Sequence, residues 1–181
     1  MKINLRYFLI SLFFLSLIGL TIPLIVYNLN NRNPDPTALI ITGNVSREVS
    51  FTYEDIISGK YGVVENRIFT FLNQPPYNSQ YDVNYTGVSV WALLTYTSIL
   101  YPNATSIYFK SWDAYRTETL SLSAVQDNPE DVIVAFKKGD YFLQNNSEDG
   151  GPLRTIVDLS VTEPDYCSKY WAKYVNEIVV E

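Results

Sequence analysis

The six residues Asp149-Gly150-Gly151-Pro152-Leu153-Arg154 bring an acid, a flexible corner and a cation together. Two glycines permit positive φ and close approach to the backbone, Pro152 fixes φ and removes a donor, and Arg154 follows at once. The same residues also suit a plain loop break with Arg154 as a surface ion-pair partner. Chemistry elsewhere is sparse. Histidine is absent, which removes the commonest general base near neutral pH and the commonest nitrogen ligand for metals. Cys167 is the one cysteine, so no intrachain disulfide and no cysteine-rich metal site can form. Ser-His-Asp, Cys-His and His-metal catalysis are therefore excluded within this chain, and carboxylate, Lys/Tyr or borrowed-cofactor chemistry remains. The adjacent acids Glu54-Asp55, Glu130-Asp131 and Glu148-Asp149 are neighbours in sequence, whose side chains point apart on a helix or strand. They read as helix-start or solvated-turn pairs rather than acid/base sites. Tyr166, Tyr170, Trp171 and Tyr174 have helical spacing, which means core packing more often than a ligand platform.

The elements that must position these residues begin after an apolar run. The chain has 181 residues, 47% hydrophobic, with 15 Tyr and 9 Phe, enough for one domain. Residues 7–27 carry no charge and, at about 1.5 Å per residue, cover a hydrocarbon core of roughly 30 Å. Lys2 and Arg6 precede this run, which places the N-terminus in the cytoplasm and the bulk of the chain outside. The run exceeds a signal-peptide core and no small-x-small pair follows it, so residues 1–27 read as an uncleaved anchor rather than a cleaved signal. Residues 28–37, polar with two prolines, form a linker, and residues 38–181 the folded domain. Formal net charge is −6 and no basic stripe exists, so a nucleic-acid partner is not expected. Four sequons, at Asn44, Asn84, Asn103 and Asn145, lie on the outer side and are candidate glycosylation sites.

Within the domain, residues 38–42 and 49–51 read as short strands, and Thr52 caps a helical turn that Gly59 stops. Residues 67–72 alternate as a strand, 73–84 read as a polar loop around Pro75-Pro76, and Val90, Leu93 and Leu94 repeat at helical spacing within 89–100. Strands follow at 106–110, 116–122, 132–136 and 155–157, with a turn at 112–115, a helical turn near 123–126 and a hairpin turn at 138–140. A short helix over 166–174 and an exposed last strand, 175–180, end the chain. Strands and short helices interleave without a regular βαβ period, which defines an α+β fold.

These pieces, in order, resemble the oxidoreductase molybdopterin-binding domain of the sulfite oxidase type. The markers are Ile41-Thr42-Gly43-Asn44-Val45 with Phe51-Thr52-Tyr53-Glu54-Asp55; Tyr85-Thr86-Gly87-Val88-Ser89-Val90, resembling Trp-Thr-Gly-Val-Pro-Leu; and Asp113-Ala114-Tyr115, resembling Asp-Gly-Tyr. Val132-Ile133-Val134-Ala135-Phe136, the Gly-Gly-Pro-Leu-Arg corner and Lys173-Tyr174-Val175 with Ile178 complete the series. The resemblance implies a mixed-sheet fold and a molybdenum pterin cofactor whose metal is held by one cysteine between the third strand and the Thr-Gly-Val segment. Residues 71–78 contain none. It also implies histidine before the corner, where this chain has Asp149, a carboxylate that repels a phosphate it faces. A late Lys-x-x-Lys pair appears as Tyr170 with Lys173. Arg154 and Lys173 match the family's phosphate cations by position, Gly150 and Gly151 would offer backbone amides, and Cys167 is the only thiol left as a metal candidate. The expectation is a membrane-anchored, extracytoplasmic binding or assembly module with protein partners and no cofactor. The alternatives are an oxidoreductase that keeps molybdopterin through Arg154, Lys173, Gly150 and Gly151, and an adhesive or filament subunit that uses the last strand.

Overall fold

A computed structural model describes residues 37–73, 75–76, 79–162 and 166–181. The expected anchor, residues 1–27, and the linker up to residue 36 lie outside the described residues. Strand β1 (Thr37–Gly43) alternates so that Leu39 and Ile41 are fully buried. It pairs antiparallel with β2 (Val49–Thr52) and parallel with the last strand, β10 (Val175–Val180). β10 pairs on its other side with β5 (Ser106–Ser111), and the two-residue β6 (Leu120–Ser121) completes a sheet of order β2-β1-β10-β5-β6. Ile107, Phe109, Ile178 and Val180 continue the buried face. The last strand is therefore interior, flanked on both edges, with Val175, Val179 and Val180 all buried. The expectation of an exposed final strand is wrong, and the adhesive reading loses the edge it would need.

The second sheet is built on β3 (Val63–Leu72), β4 (Gln80–Ser89) and β7 (Val132–Lys138), antiparallel in that order. The far edge of β7 is shared by β9 (Arg154–Val157), along its first half, and β8 (Tyr141–Phe142), at its end. Val132 to Phe136 is buried throughout, as a strand covered on both faces must be. The polar loop expected over 73–84 is shorter: β4 starts at Gln80, and Asp82 and Asn84 stand on the solvent-side face, opposite Thr70 and Ile68. Polarity marked one face of a strand, not a loop. The strand expected over 116–122 shrinks to β6, because Thr117 fastens to β5 by its side chain, its Oγ1 accepting from Phe109 N at 3.0 Å.

Short helices join the strands. Thr52 and Asp55 form a capping box at α1 (Tyr53–Ile57), and the Thr52 backbone N–H, then its hydroxyl, holds the Asp55 carboxyl below its usual range. Ser89 caps α2 (Val90–Thr97), which buries Val90, Leu93 and Leu94. α3 (Leu122–Asp127) and α4 (Leu159–Thr162) are one or two turns long. The helix expected over 166–174 is a single 3-10 turn, Cys167–Tyr170. Beyond it Ala172 N donates to Thr155 Oγ1 at 2.7 Å and Ala172 O accepts from Thr155 N at 3.0 Å, so the chain is drawn along β9 instead of coiling. Glu130 and Asp131 both reach Arg67, a structural role consistent with the turn assignment. Among the described residues no helix is long and apolar enough to cross a membrane.

One backbone strain stands out in the 112–115 turn. Ala114 has φ 65°, a left-handed conformation that costs an L-residue about 1–2 kcal/mol and glycine nothing. The resemblance places glycine there. Ala114→Gly is expected to stabilise the domain by roughly 0.5–1 kcal/mol after glycine's larger unfolded-state entropy is set against the relief. Urea denaturation of the two proteins side by side measures it, and an unchanged or lower midpoint contradicts the strain.

Candidate functional site

The glycine corner is a packing device. Gly150 and Gly151 have φ 79° and 92°, and a Cβ on them would stand 2.4 Å from the Lys173 side chain and 2.6 Å from the Tyr174 ring. The corner therefore presses against residues 173–174, and the Gly150 carbonyl accepts from Tyr174 N. The Gly150 amide, one of the expected phosphate donors, is already spent on Asn146 O at 2.9 Å. Asp149 does not face the cleft as a bare carboxylate: its Oδ2 accepts from Gln144 N at 3.0 Å, closing its own loop. The glycines let the corner pack directly against Lys173 and Tyr174.

Arg154 leaves this corner at the first residue of β9 and lies over two rings, 5.5 Å from the Trp171 centroid and 5.8 Å from that of Tyr85. Its Nη1 donates to Asp149 O at 3.3 Å, while its Nε is buried with no acceptor. Lys173 Nζ donates to Ser147 O at 2.8 Å. Among the described residues no carboxylate pairs with either cation, so neither is the structural ion pair that a surface Arg or Lys commonly makes. Both line a cleft of about 290 Å³ whose walls are Phe71, Trp171 and Tyr115, with Asp113 at its side. Burial raises the Tyr85 phenol pKa beneath Arg154, more than the guanidinium lowers it, so Tyr85 is a neutral platform.

A second, polar hollow of about 450 Å³ adjoins it, lined by Asn73, Arg116, Glu118 and Lys169 among others. Tyr115 and Ser168 border both. Tyr115 reaches across to Lys169 O at 3.5 Å, and burial raises its pKa, with Glu118 and Asp113 adding to the effect. Ser168 Oγ is buried without a partner. The residue types alone do not single out Ser168, Phe71 or Tyr115. Tyr115 lies in the Asp-Ala-Tyr motif, but nothing local marks Ser168. Trp171 belongs to an aromatic cluster at helical spacing, but it follows a single 3-10 turn rather than lying on a helix, and its ring is in the cleft wall.

Cys167 is not in this cleft. Its side chain is 0% exposed, and its Sγ sits against the end of β3, accepting from Leu72 N at 3.0 Å with Thr70 O and Leu72 O each 3.7 Å away. Burial pushes its pKa up and Asp158 adds to this, against the smaller opposing effect of the Leu72 amide. It is a thiol that satisfies the free edge of a strand. The only thiol considered from sequence as a metal ligand thus lies against backbone at the end of β3, and Cys167 is not among the residues that line the cleft. Among the described residues no group of three or more His, Cys, Asp or Glu gathers to hold a metal.

One mixed and one antiparallel sheet, a Gly-Gly-Pro-Leu-Arg corner and a cleft lined by Arg154 and Lys173 make up this architecture. The chain belongs to the oxidoreductase molybdopterin binding domain family, whose sequence model matches residues 27–181. Among solved structures it is similar to the sulfane dehydrogenase SoxCD from Paracoccus pantotrophus, with a TM-score of 0.57 and 20% identity over 78% of this chain and 37% of that one. That likeness shows the fold, and the chain spans little more than a third of the longer protein. No curated protein matches the chain.

Proposed function

We propose that the chain is a non-catalytic member of its family, a binding or assembly module held outside the cell by an N-terminal anchor. One observation carries this: the sole thiol is buried beneath β3, while the loop after β3, which contributes Asn73 and Pro75 to the polar hollow beside the cleft, has no cysteine. A soft metal centre of this family needs an accessible thiolate, and a buried thiol with a raised pKa supplies none. The residues present do not fit the metal. The unpaired Arg154 and Lys173 favour a second reading, in which the organic part of molybdopterin is still held. The anchor and outward orientation rest on residues 7–27 and the flanking Lys2 and Arg6. Asn103 and Asn145 are exposed in loops, as sugar acceptors need to be; Asn44 is half-buried, and Asn84 sits within β4 with its Oδ1 buried. Protein partners remain the expectation for the exposed faces.

The test is metal and pterin content of the full chain, extracted with its anchor from a host that makes molybdopterin. No molybdenum, tungsten or pterin fluorescence is expected in folded protein. Metal near one equivalent per chain, lost on Arg154→Ala, would overturn the non-catalytic reading, whereas pterin without metal would establish the second.

A further inference from the structure

We infer that the Arg154 cleft binds a ring-bearing monocarboxylate, with Ser168 as a ligand-binding residue at its waist. This rests on the binding-module reading and names the ligand class of that site. Arg154 and Ser168 both line the cleft, and each keeps a buried polar atom, Nε and Oγ, without a hydrogen-bond partner. Buried polar groups are nearly always satisfied, and an orphan costs about 1–3 kcal/mol, so a pair of them on one cleft points to an acceptor supplied from outside.

The donors specify its shape. Arg154 Nη1 is occupied by Asp149 O, which leaves the Nε–Nη2 edge, the two-pronged fork that matches a planar carboxylate. Lys173 spends one of its three donors on Ser147 O. The ionised residues described on this lobe are Arg154, Lys173 and Asp113, a balance of one positive charge. The chain as a whole is at −6. One positive charge in an acidic domain balances a monoanion and leaves a phosphate dianion undercompensated. Phe71, Trp171 and Tyr115 on the walls then supply faces for a ring, planar or sugar, attached to the carboxylate. Ser168, shared with the polar hollow, is placed for a hydroxyl or ring oxygen next to it.

The full chain in detergent micelles is titrated calorimetrically with glucuronate and 4-hydroxybenzoate, with their neutral counterparts glucose and phenol, and with inorganic phosphate. Saturable binding of at least one carboxylate is expected, about tenfold or more tighter than its neutral counterpart and tighter than phosphate. Which of the two binds tells a sugar ring from an aromatic one. Arg154→Lys keeps the charge but not the fork and is expected to weaken binding about tenfold. Ser168→Ala is expected to weaken it several-fold while leaving Tm unchanged or raised, because it removes an unsatisfied buried hydroxyl. Phosphate binding at least as tight as either carboxylate, binding unaltered in both variants, or no saturable binding of either carboxylate would each overturn the inference. Metal and pterin content of the same preparation separates the two proposals. Bound cofactor defeats the reading beneath, whereas cofactor-free protein that takes no carboxylate defeats this inference alone.

Discussion

Gly43→Ala is expected to destabilise the domain by about 2–5 kcal/mol, from overpacking and a left-handed backbone together. Gly43 ends β1 with φ 89°, and a Cβ there would lie 2.1 Å from Val180 O and 3.0 Å from Val180 N. The obstacle is backbone, and it is fixed from both sides. Asn44 N donates to the same Val180 oxygen at 2.8 Å, and the next residue, Glu181, exchanges backbone hydrogen bonds with Ser106, at 2.9 and 3.4 Å, on the β5 side. β10 therefore cannot retreat without breaking its pairing to β1 or to β5. Against a typical total of about 5–15 kcal/mol this loss is a large fraction, so the variant is expected to unfold at much lower urea or to fail to accumulate. Far-UV circular dichroism across a urea gradient reads it. A midpoint equal to that of the parent protein would mean the end of β10 is far looser than its hydrogen bonds imply.

Gly43 also illustrates what could be read from the chain itself. A β-rich run ending in glycine was visible, as were the capping box at Thr52 and Asp55, the helical spacing of Val90, Leu93 and Leu94, and the buried run at Val132 to Phe136. These are local patterns, and local physics sets them. The α+β class and the order of motifs followed from them. Residues 80–84 could not be read locally, because Asp82 and Asn84 make only one face of β4 polar while Tyr85 and Val83 turn inward. The site was legible in part. Arg154 and Lys173 stood out by type and place, but that both lack a carboxylate partner depends on folding. Cys167 could be a ligand or a filler by sequence. Its contact with Leu72, 95 residues away, caps the edge of β3, and no local pattern records a contact of that separation. Ser168 is one hydroxyl among many until its burial and lack of a partner are seen.

Trp171→Ala is expected to cost about 3–5 kcal/mol, the range for removing a large aromatic from a core, and to disturb the cleft at the same time. The indole is 8% exposed, its centroid lies 4.3 Å from Phe71 and 5.9 Å from Tyr85, and its Nε1 donates to Val157 O at 2.7 Å. It thus ties the end of β9 to β3 and β4 through one side chain. It is also one of the two rings beneath the Arg154 guanidinium, at 5.5 Å, so truncation removes the surface that holds the fork in place. Trp171→Phe separates the two contributions. The smaller ring keeps much of the apolar contact but leaves Val157 O without its donor, for an expected loss of about 1–3 kcal/mol. A thermal or urea melt ranks the three proteins as wild type above Phe above Ala. If Phe proved as damaging as Ala, the hydrogen bond to Val157 rather than ring packing would carry the joint. If Ala were nearly neutral, the walls of the cleft would be held by the β7–β9 ladder alone, and Arg154 would have to owe its position to Asp149 O instead of to the rings.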